Sequence, residues 1–362
     1  MQPHILHVCT TPEQAGGIWK YISYLTGSPL TEKYRFSTIM YPRRTRCLSA
    51  GVITELGKAV RCKAPDLVHI HGLQADGFHV ALAVRCYQRQ PVLLSVHGFA
   101  SDNRYSPIAK RIVSGWLLEP LTILMADGVY TVSNYGSKKA MVRCWAKNNY
   151  GTIPNAVIPP TVDIDPKVAR KRLGFEGDEV IALCVGRMTR EKGMLLLAQA
   201  LEFIDWAHVP SLRLMMAGQV PFEQQVKAAL EPWMEKGLIR IHGQESDMWP
   251  LYRACDFLLH PSLHENQSLA ILEAMAAAKP VVCMEVGGNP EIVLNEETGV
   301  LVPLQNAKML AKVVENVAMD SERRCRLGQA GRERIEATFN ARKLSEEVGK
   351  VYDHLLSDCG RI

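Results

Sequence analysis

Twelve short apolar runs rich in β-branched residues alternate with longer segments of helical period along this chain. That alternation restricts it to α/β architecture, with parallel sheets covered by helices on both faces. The runs fall at 4–10, 35–41, 67–71, 92–97, 128–133 and 151–154, and then at 180–186, 213–217, 238–242, 256–260, 280–284 and 299–302. A chain of 362 residues exceeds the size at which one core stops growing, about 250–300 residues, so each half is predicted to be its own doubly wound unit. Residues 153–166 (IPNAVIPPTVDIDP), with four prolines and paired aspartates, suit an exposed hinge. The predicted limits are 1–162 and 163–338, with 339–362 a helix crossing back onto the first domain.

Other classes are excluded by what the sequence lacks. No window has the run of apolar residues that a membrane span needs, and the first ten residues read as a strand rather than a signal peptide, so a cytoplasmic protein is expected. The ten cysteines show no C-x-x-C pair, which points to reduced thiols rather than a disulfide framework or metal site. No phosphate-binding G-x-x-x-x-G-K-[ST] occurs, and no G-x-G-x-x-G follows the first strand, which argues against a nicotinamide dehydrogenase. Nothing marks a tail for nucleic acid. The first 165 residues carry 18 basic and 10 acidic side chains and the rest 24 and 27, so the first half is +8 and the second −3. An anionic partner for the first half and dispersed solubilising charge account equally well for that asymmetry.

Ligands of open α/β sheets bind beyond the carboxyl ends of the strands, so polar residues just after the runs are the candidates. Gly16 and Gly17 precede a helical segment and can bring backbone N–H groups close to a phosphate or sugar oxygen. His71 and His97 end two runs just before glycines; His97 is read as a group that bonds a substrate hydroxyl or phosphate, and His71 equally as that or as a buried structural histidine. GRMTREKG, 186–193, places Arg187, Arg190 and Lys192 in one loop, cations suited to a diphosphate. In DFLLHPSLHENQSLAILEAMAAAKPVV, 256–282, Glu265 lies in a loop and Glu273 within a helix expected from about Asn266, burying Leu269, Leu272, Met275 and Ala276. The N–H groups of Gln267, Ser268 and Leu269 at that helix start would receive a phosphate. Residues 104–118 (RYSPIAKRIVSGWLL) mix Arg104, Lys110 and Arg111 with Ile112, Val113, Trp116 and Leu117, either an ordinary helix with a core side or a surface for anionic lipid.

Glu265 and Glu273 reproduce a Glu, seven residues, Glu signature. With GRMTREKG, the VHG strand end, AGG near the start, IPN at the hinge, HPS, EAMA, GGNPEIV and TGVLVP, the chain resembles the retaining glycosyltransferases of family 4, with the two-domain GT-B fold. The resemblance spans essentially the whole chain. It implies two Rossmann-like domains facing a cleft, the first binding acceptor and the second a nucleotide-sugar donor. It implies that Arg187 and Lys192 neutralise the donor diphosphate, with Ser268 and Leu269 at the helix start beside it, that Glu265 contacts the transferred sugar and that Glu273 holds the ribose. His97 matches the histidine that contacts the sugar, and Gly16 and Gly17 match the glycines facing donor and acceptor. The sequence departs from the family at Ala156, Ala278, Gln267 and Ser268.

The expected reaction is transfer of a hexose-type sugar with retention, from a nucleotide-diphosphate sugar to a hydroxyl of a lipid-linked or saccharide acceptor, in bacterial polysaccharide or glycolipid synthesis. Protein cations stand in for a metal, no cofactor is expected, and weak peripheral contact with an anionic membrane is. The rival readings are a nucleotide-sugar epimerase or phosphorylase of the same fold, a transferase with a small soluble acceptor, and a scaffold protein without turnover.

Overall fold

The structure, a computed structural model, describes residues 2–9, 16–41, 49–73, 75–87, 90–175, 177–218, 223–358 and 360. The chain divides into two compact units, Met1–Ala156 with Asn340–Ile362, and Val157–Phe339. The division falls ahead of the hinge limit read from the prolines because Val157 packs in the core of the second unit, where its N–H donates to the Phe339 carbonyl oxygen.

The first unit holds six strands, β1 (His4–Cys9), β2 (Arg35–Met40), β3 (Leu67–His71), β4 (Val92–Val96), β5 (Gly128–Thr131) and β6 (Asn149–Thr152). They form one parallel sheet in the order β2-β1-β3-β4-β5-β6. The second unit holds β7 (Val180–Val185), β8 (Leu212–Ala217), β9 (Ile239–Gly243), β10 (Phe257–His260), β11 (Val281–Met284) and β12 (Gly299–Val302), in the parallel order β12-β11-β10-β7-β8-β9. All twelve runs are strands, displaced by at most two residues, because central strands of a parallel sheet are buried on both faces and so read as continuous apolar runs.

Side chains alternate between two cores in each unit. On β7, Ala182 and Cys184 pack with Leu214, Phe257 and Met284 on one face, while Ile181 and Leu183 pack with Tyr252, Leu258, Ile271 and Met275 on the other. In the first unit Leu6 and Val8 join Val68, Ile70, Leu94 and Val96 on one face. The opposite face, with Ile5, Leu67, Leu93 and Tyr130, is covered by the helix Ala341–Asp358 through Leu344, Val348, Val351, Tyr352 and Leu355. The last helix therefore completes the first sheet's second layer.

Among the described residues no helix is long and apolar enough to cross a membrane. The stretch 108–125 departs from an ordinary core helix. It contains a π-helical segment, Ile112–Leu118, whose Ser114, Gly115 and Leu118 are buried while Ile112, Val113, Trp116 and Leu117 are exposed, Trp116 by 79%. The apolar side read as possible core thus faces outward.

Candidate active site

In the second sheet the chain leaves β7 to build β8 and β9 on one side and returns to add β10 on the other, so the switch point lies between β7 and β10. The crevice beyond the carboxyl ends there is where such sheets bind ligands. Two loops open onto it, 186–193 after β7 and 261–268 after β10.

Glycines hold these loops together. Gly193 has φ 74°, and an added Cβ would overlap the Pro261 carbonyl oxygen; Gly287, at φ 53° after β11, would collide in the same way with the carbonyl oxygen of Glu265. The Leu263 N–H donates to the Glu191 carbonyl oxygen at 3.1 Å and the Gly288 N–H to that of Glu265 at 3.3 Å. The loop carrying Glu265 is thus pinned from both sides.

Lys192, the last residue of the 3-10 turn Arg190–Lys192, places Nζ 2.5 Å from Glu265 Oε1. His260, at the end of β10, places Nε2 3.0 Å from the same oxygen. Burial opposes ionisation of Glu265, but Lys192 and His260 outweigh it and hold the carboxyl well below the usual carboxylate range. Arg187 lies largely exposed and pairs with Glu191, while Arg190 reaches Glu223 at 3.3 Å. The three loop cations therefore each have their own carboxylate, and only Lys192 meets Glu265.

The helix after this loop begins later than the sequence suggested, at Leu269 rather than near Asn266. Ser268 is its N-cap, accepting from the Ile271 N–H at 3.4 Å, so the donors without an intrahelical acceptor are those of Ser268, Leu269 and Ala270, and Gln267 lies one residue ahead of them. The helix is also more deeply set than one buried stripe. Every residue from Ile271 to Ala276 is buried, and Leu269 is only partly so. Glu273, 8% exposed, accepts a 2.8 Å hydrogen bond from the Tyr252 hydroxyl. The two glutamates take different partners. Ala278, where a glycine is common in such chains, sits in the left-handed region at φ 57° just past the helix.

In the first sheet the switch point lies between β1 and β3. Gly16, at φ 87°, is the N-cap of the helix Gly17–Thr26, and Gly17 is its first residue; Ala15 of AGG lies outside the described residues. His97 is half-buried just past β4 with its ring edge-on to Tyr21, centroids 4.8 Å apart. Burial pushes its pKa down to about 4. His71 is buried at the end of β3 and bonded through both ring nitrogens, to His7 and Ser95, which favours the structural of its two readings.

His260, Tyr252, Ser95 and His7, which the structure bonds to Glu265, Glu273, His97 and His71, were not singled out by the sequence. A strand-terminal position before a proline was the available signal for His260. The others are brought in by strand register or helix packing, which local pattern does not encode.

Residues 6–165 match the family described as Glycosyltransferase Family 4, and residues 165–334 the family described as Glycosyl transferases group 1. A relative, the lipopolysaccharide core biosynthesis mannosyltransferase LpcC of Rhizobium leguminosarum bv. viciae, is 27% identical over 80% of this chain and 78% of its own length. Among solved structures, sucrose-phosphate synthase of Thermosynechococcus elongatus superposes with a TM-score of 0.79 at 22% identity, over 99% of this chain and 100% of the other. HepE of Anabaena, in complex with UDP-glucose, gives 0.79 at 18% identity over 97% of this chain and 99% of the other. At these identities the structural likeness speaks to the fold.

Proposed function

The chain belongs to the group 1 glycosyltransferases and transfers a glycosyl group from a nucleotide sugar; from that premise we propose that it moves a hexose-type sugar, with retention of configuration, to a hydroxyl of a lipid-linked or saccharide acceptor. The observation that carries this reading is the meeting of Lys192 with Glu265 from loops on either side of the second switch point. A cation for phosphate and an acid for sugar hydroxyls stand within one hydrogen bond of each other.

In this reading Arg187, Lys192 and the N–H groups of Ser268 and Leu269 at the helix start hold the donor diphosphate, and Glu273 holds the ribose. As the glycosidic bond breaks, negative charge grows on the departing diphosphate, and fixed cations stabilise it more in the transition state than in the ground state. Glu265, kept ionised by Lys192 and His260, accepts hydrogen bonds from the sugar's hydroxyls. His97, neutral near pH 7, adds a hydrogen bond to the same sugar, and Gly16 with Gly17 brings backbone donors toward donor and acceptor. Protein cations take the role of a metal, so chelation should leave the rate unchanged. The exposed Ile108, Ile112, Val113, Trp116 and Leu117 beside the exposed Arg104 support peripheral contact of the first unit with an anionic membrane, where a lipid-linked acceptor would be met.

The test is a screen of UDP-, GDP- and ADP-sugars with and without acceptor, in chelator, with the product anomer read by NMR. The expected result is acceptor-dependent transfer with retention. Inversion, or isomerised nucleotide sugar formed without acceptor, would overturn the reading.

A further inference from the structure

Three neighbouring strands of the first sheet send polar residues to the face that is apolar at its other end. His7 on β1 stands opposite His69 on β3, and His71 on β3 opposite Ser95 on β4. Alternation puts all four on the side of Ile5, Leu67 and Leu93, and all four are buried. His7 Nδ1 lies 2.9 Å from His71 Nε2, His71 Nδ1 lies 2.8 Å from Ser95 Oγ, and Ser95 Oγ lies 3.2 Å from His97 Nε2. A continuous hydrogen-bonded chain thus runs from the sheet interior to the histidine assigned to the sugar.

Its direction follows from its inner end. Burial keeps His7 and His97 down at about 3 and about 4, and burial together with the neighbouring rings keeps His71 far below the ordinary value, so each ring is neutral near pH 7 and carries one N–H. His7 Nε2 is buried with no hydrogen-bond partner. A bare ring nitrogen tolerates that position better than an N–H deprived of an acceptor, so the His7 hydrogen belongs on Nδ1, donating to His71. His71 then carries its hydrogen on Nδ1 and donates to Ser95. The serine hydroxyl is left to donate, with His97 Nε2 at 3.2 Å, the Ile70 carbonyl oxygen at 3.3 Å and the Tyr130 hydroxyl as acceptors, and the imidazole nitrogen is the most basic of the three.

We propose that His7, His71 and Ser95 are positioning residues that fix His97 in the tautomer protonated at Nδ1, so that its free nitrogen presents a hydrogen-bond donor to a hydroxyl oxygen of the transferred sugar. The inference rests on the assignment of His97 to the sugar. His69 forms a branch, with Nδ1 2.8 Å from the Tyr352 hydroxyl and Nε2 3.2 Å from that of Tyr130, so it anchors the last helix and meets the chain at Ser95 through Tyr130. His7, His69 and His71 also offer three nitrogens within 4.8 Å of one another, but a cation there would have to displace the direct His7 to His71 hydrogen bond.

The experiment is nitrogen NMR of the histidine rings in the full-length wild-type chain and in Ser95→Ala, with kinetics on His7→Asn, His7→Leu and His97→Ala. Asparagine places an amide nitrogen where Nδ1 stood, whereas leucine removes the donor. The expected result is His97 protonated at Nδ1 in the wild type and shifted toward Nε2 in Ser95→Ala. Turnover should fall about tenfold in Ser95→Ala and His7→Leu with donor KM nearly unchanged, and His7→Asn should stay within about twofold of the wild type. His97 protonated at Nε2 in the wild type, equal turnover in both His7 variants, or stoichiometric zinc bound through His7 and His71 would overturn the chain. Full activity in His97→Ala would instead overturn the assignment of His97, which separates the two failures.

Discussion

The carboxyl edges of the two sheets carry opposite chemistry. At the second, three loop cations pair with carboxylates, and Glu265 is held ionised between Lys192 and His260. At the first, His7, His71 and His97 are kept neutral by burial, and Tyr21 and Tyr130 share a hydroxyl contact beneath them. One glutamate from each unit makes the same point. Glu265 has a cation and stays ionised, whereas Glu119 in the first unit has no such partner among the described residues and burial pushes it up to about 7. The lesson is that net charge misleads about location: residues 1–165 carry +8, yet His7, His71 and His97 at the ends of their strands are held neutral by burial. Uncharged donors and acceptors suit sugar hydroxyls, and the ionic edge suits a diphosphate.

The largest effect expected from breaking this contrast is at the ionic edge. Lys192→Ala should lower kcat/KM by about 10- to 100-fold, the equivalent of roughly 1.5–3 kcal/mol for a charge-assisted contact, with the circular dichroism spectrum unchanged. Unaltered kinetics would remove the diphosphate assignment.

Acid should separate the units next. A histidine with a depressed folded pKa stabilises the fold above its unfolded value near 6.5 and loses that contribution as pH falls through the folded value. The first unit should therefore weaken between pH 6.5 and 4 by at least about 2 kcal/mol, while the Lys192 to Glu265 pair stays ionised over the same range. Calorimetry at pH 4.5 should resolve two transitions, the lower one removed by proteolysis of the first unit alone. A single transition with no acid shift would contradict the neutral-edge description.

Glu119 gives a smaller effect of opposite sign. Its carboxylate oxygen Oε1 accepts from the Ala100 N–H at 2.5 Å, and Oε2 is buried without a partner. A raised pKa means stability is full below the unfolded value and is lost as pH rises toward 7. Glu119→Gln, which keeps the acceptor, should add about 2 kcal/mol at pH 8 and nothing at pH 4, read from urea unfolding.

Much of this was legible in the sequence. The strands announced themselves because buried parallel strands need unbroken runs such as VIALCV and LVHIH, and Glu265, Glu273, Arg187 and Lys192 stood out by spacing and by position after strands. The helix start was misread because Asn266, Gln267 and Ser268 are all polar, and only the structure selects Ser268 as the cap. The partners of the site residues were hidden for a different reason. Glu265 meets Lys192 across 73 positions, and His7 meets His71 across 64, contacts fixed by sheet order and register rather than by neighbouring residues. The outward face of Trp116 was equally invisible, since periodicity reports an apolar side but not what covers it.

The most direct test of the account is titration of the full-length protein and three variants with nucleoside diphosphate alone. If the ionic edge of the second unit holds the donor, Lys192→Ala and Glu273→Gln should each weaken binding, the first by about tenfold or more, while His97→Ala should bind as the wild type does yet transfer sugar slowly. Loss of nucleoside-diphosphate affinity in His97→Ala equal to that in Lys192→Ala, or unchanged affinity in Lys192→Ala, would contradict the division of labour between the two edges.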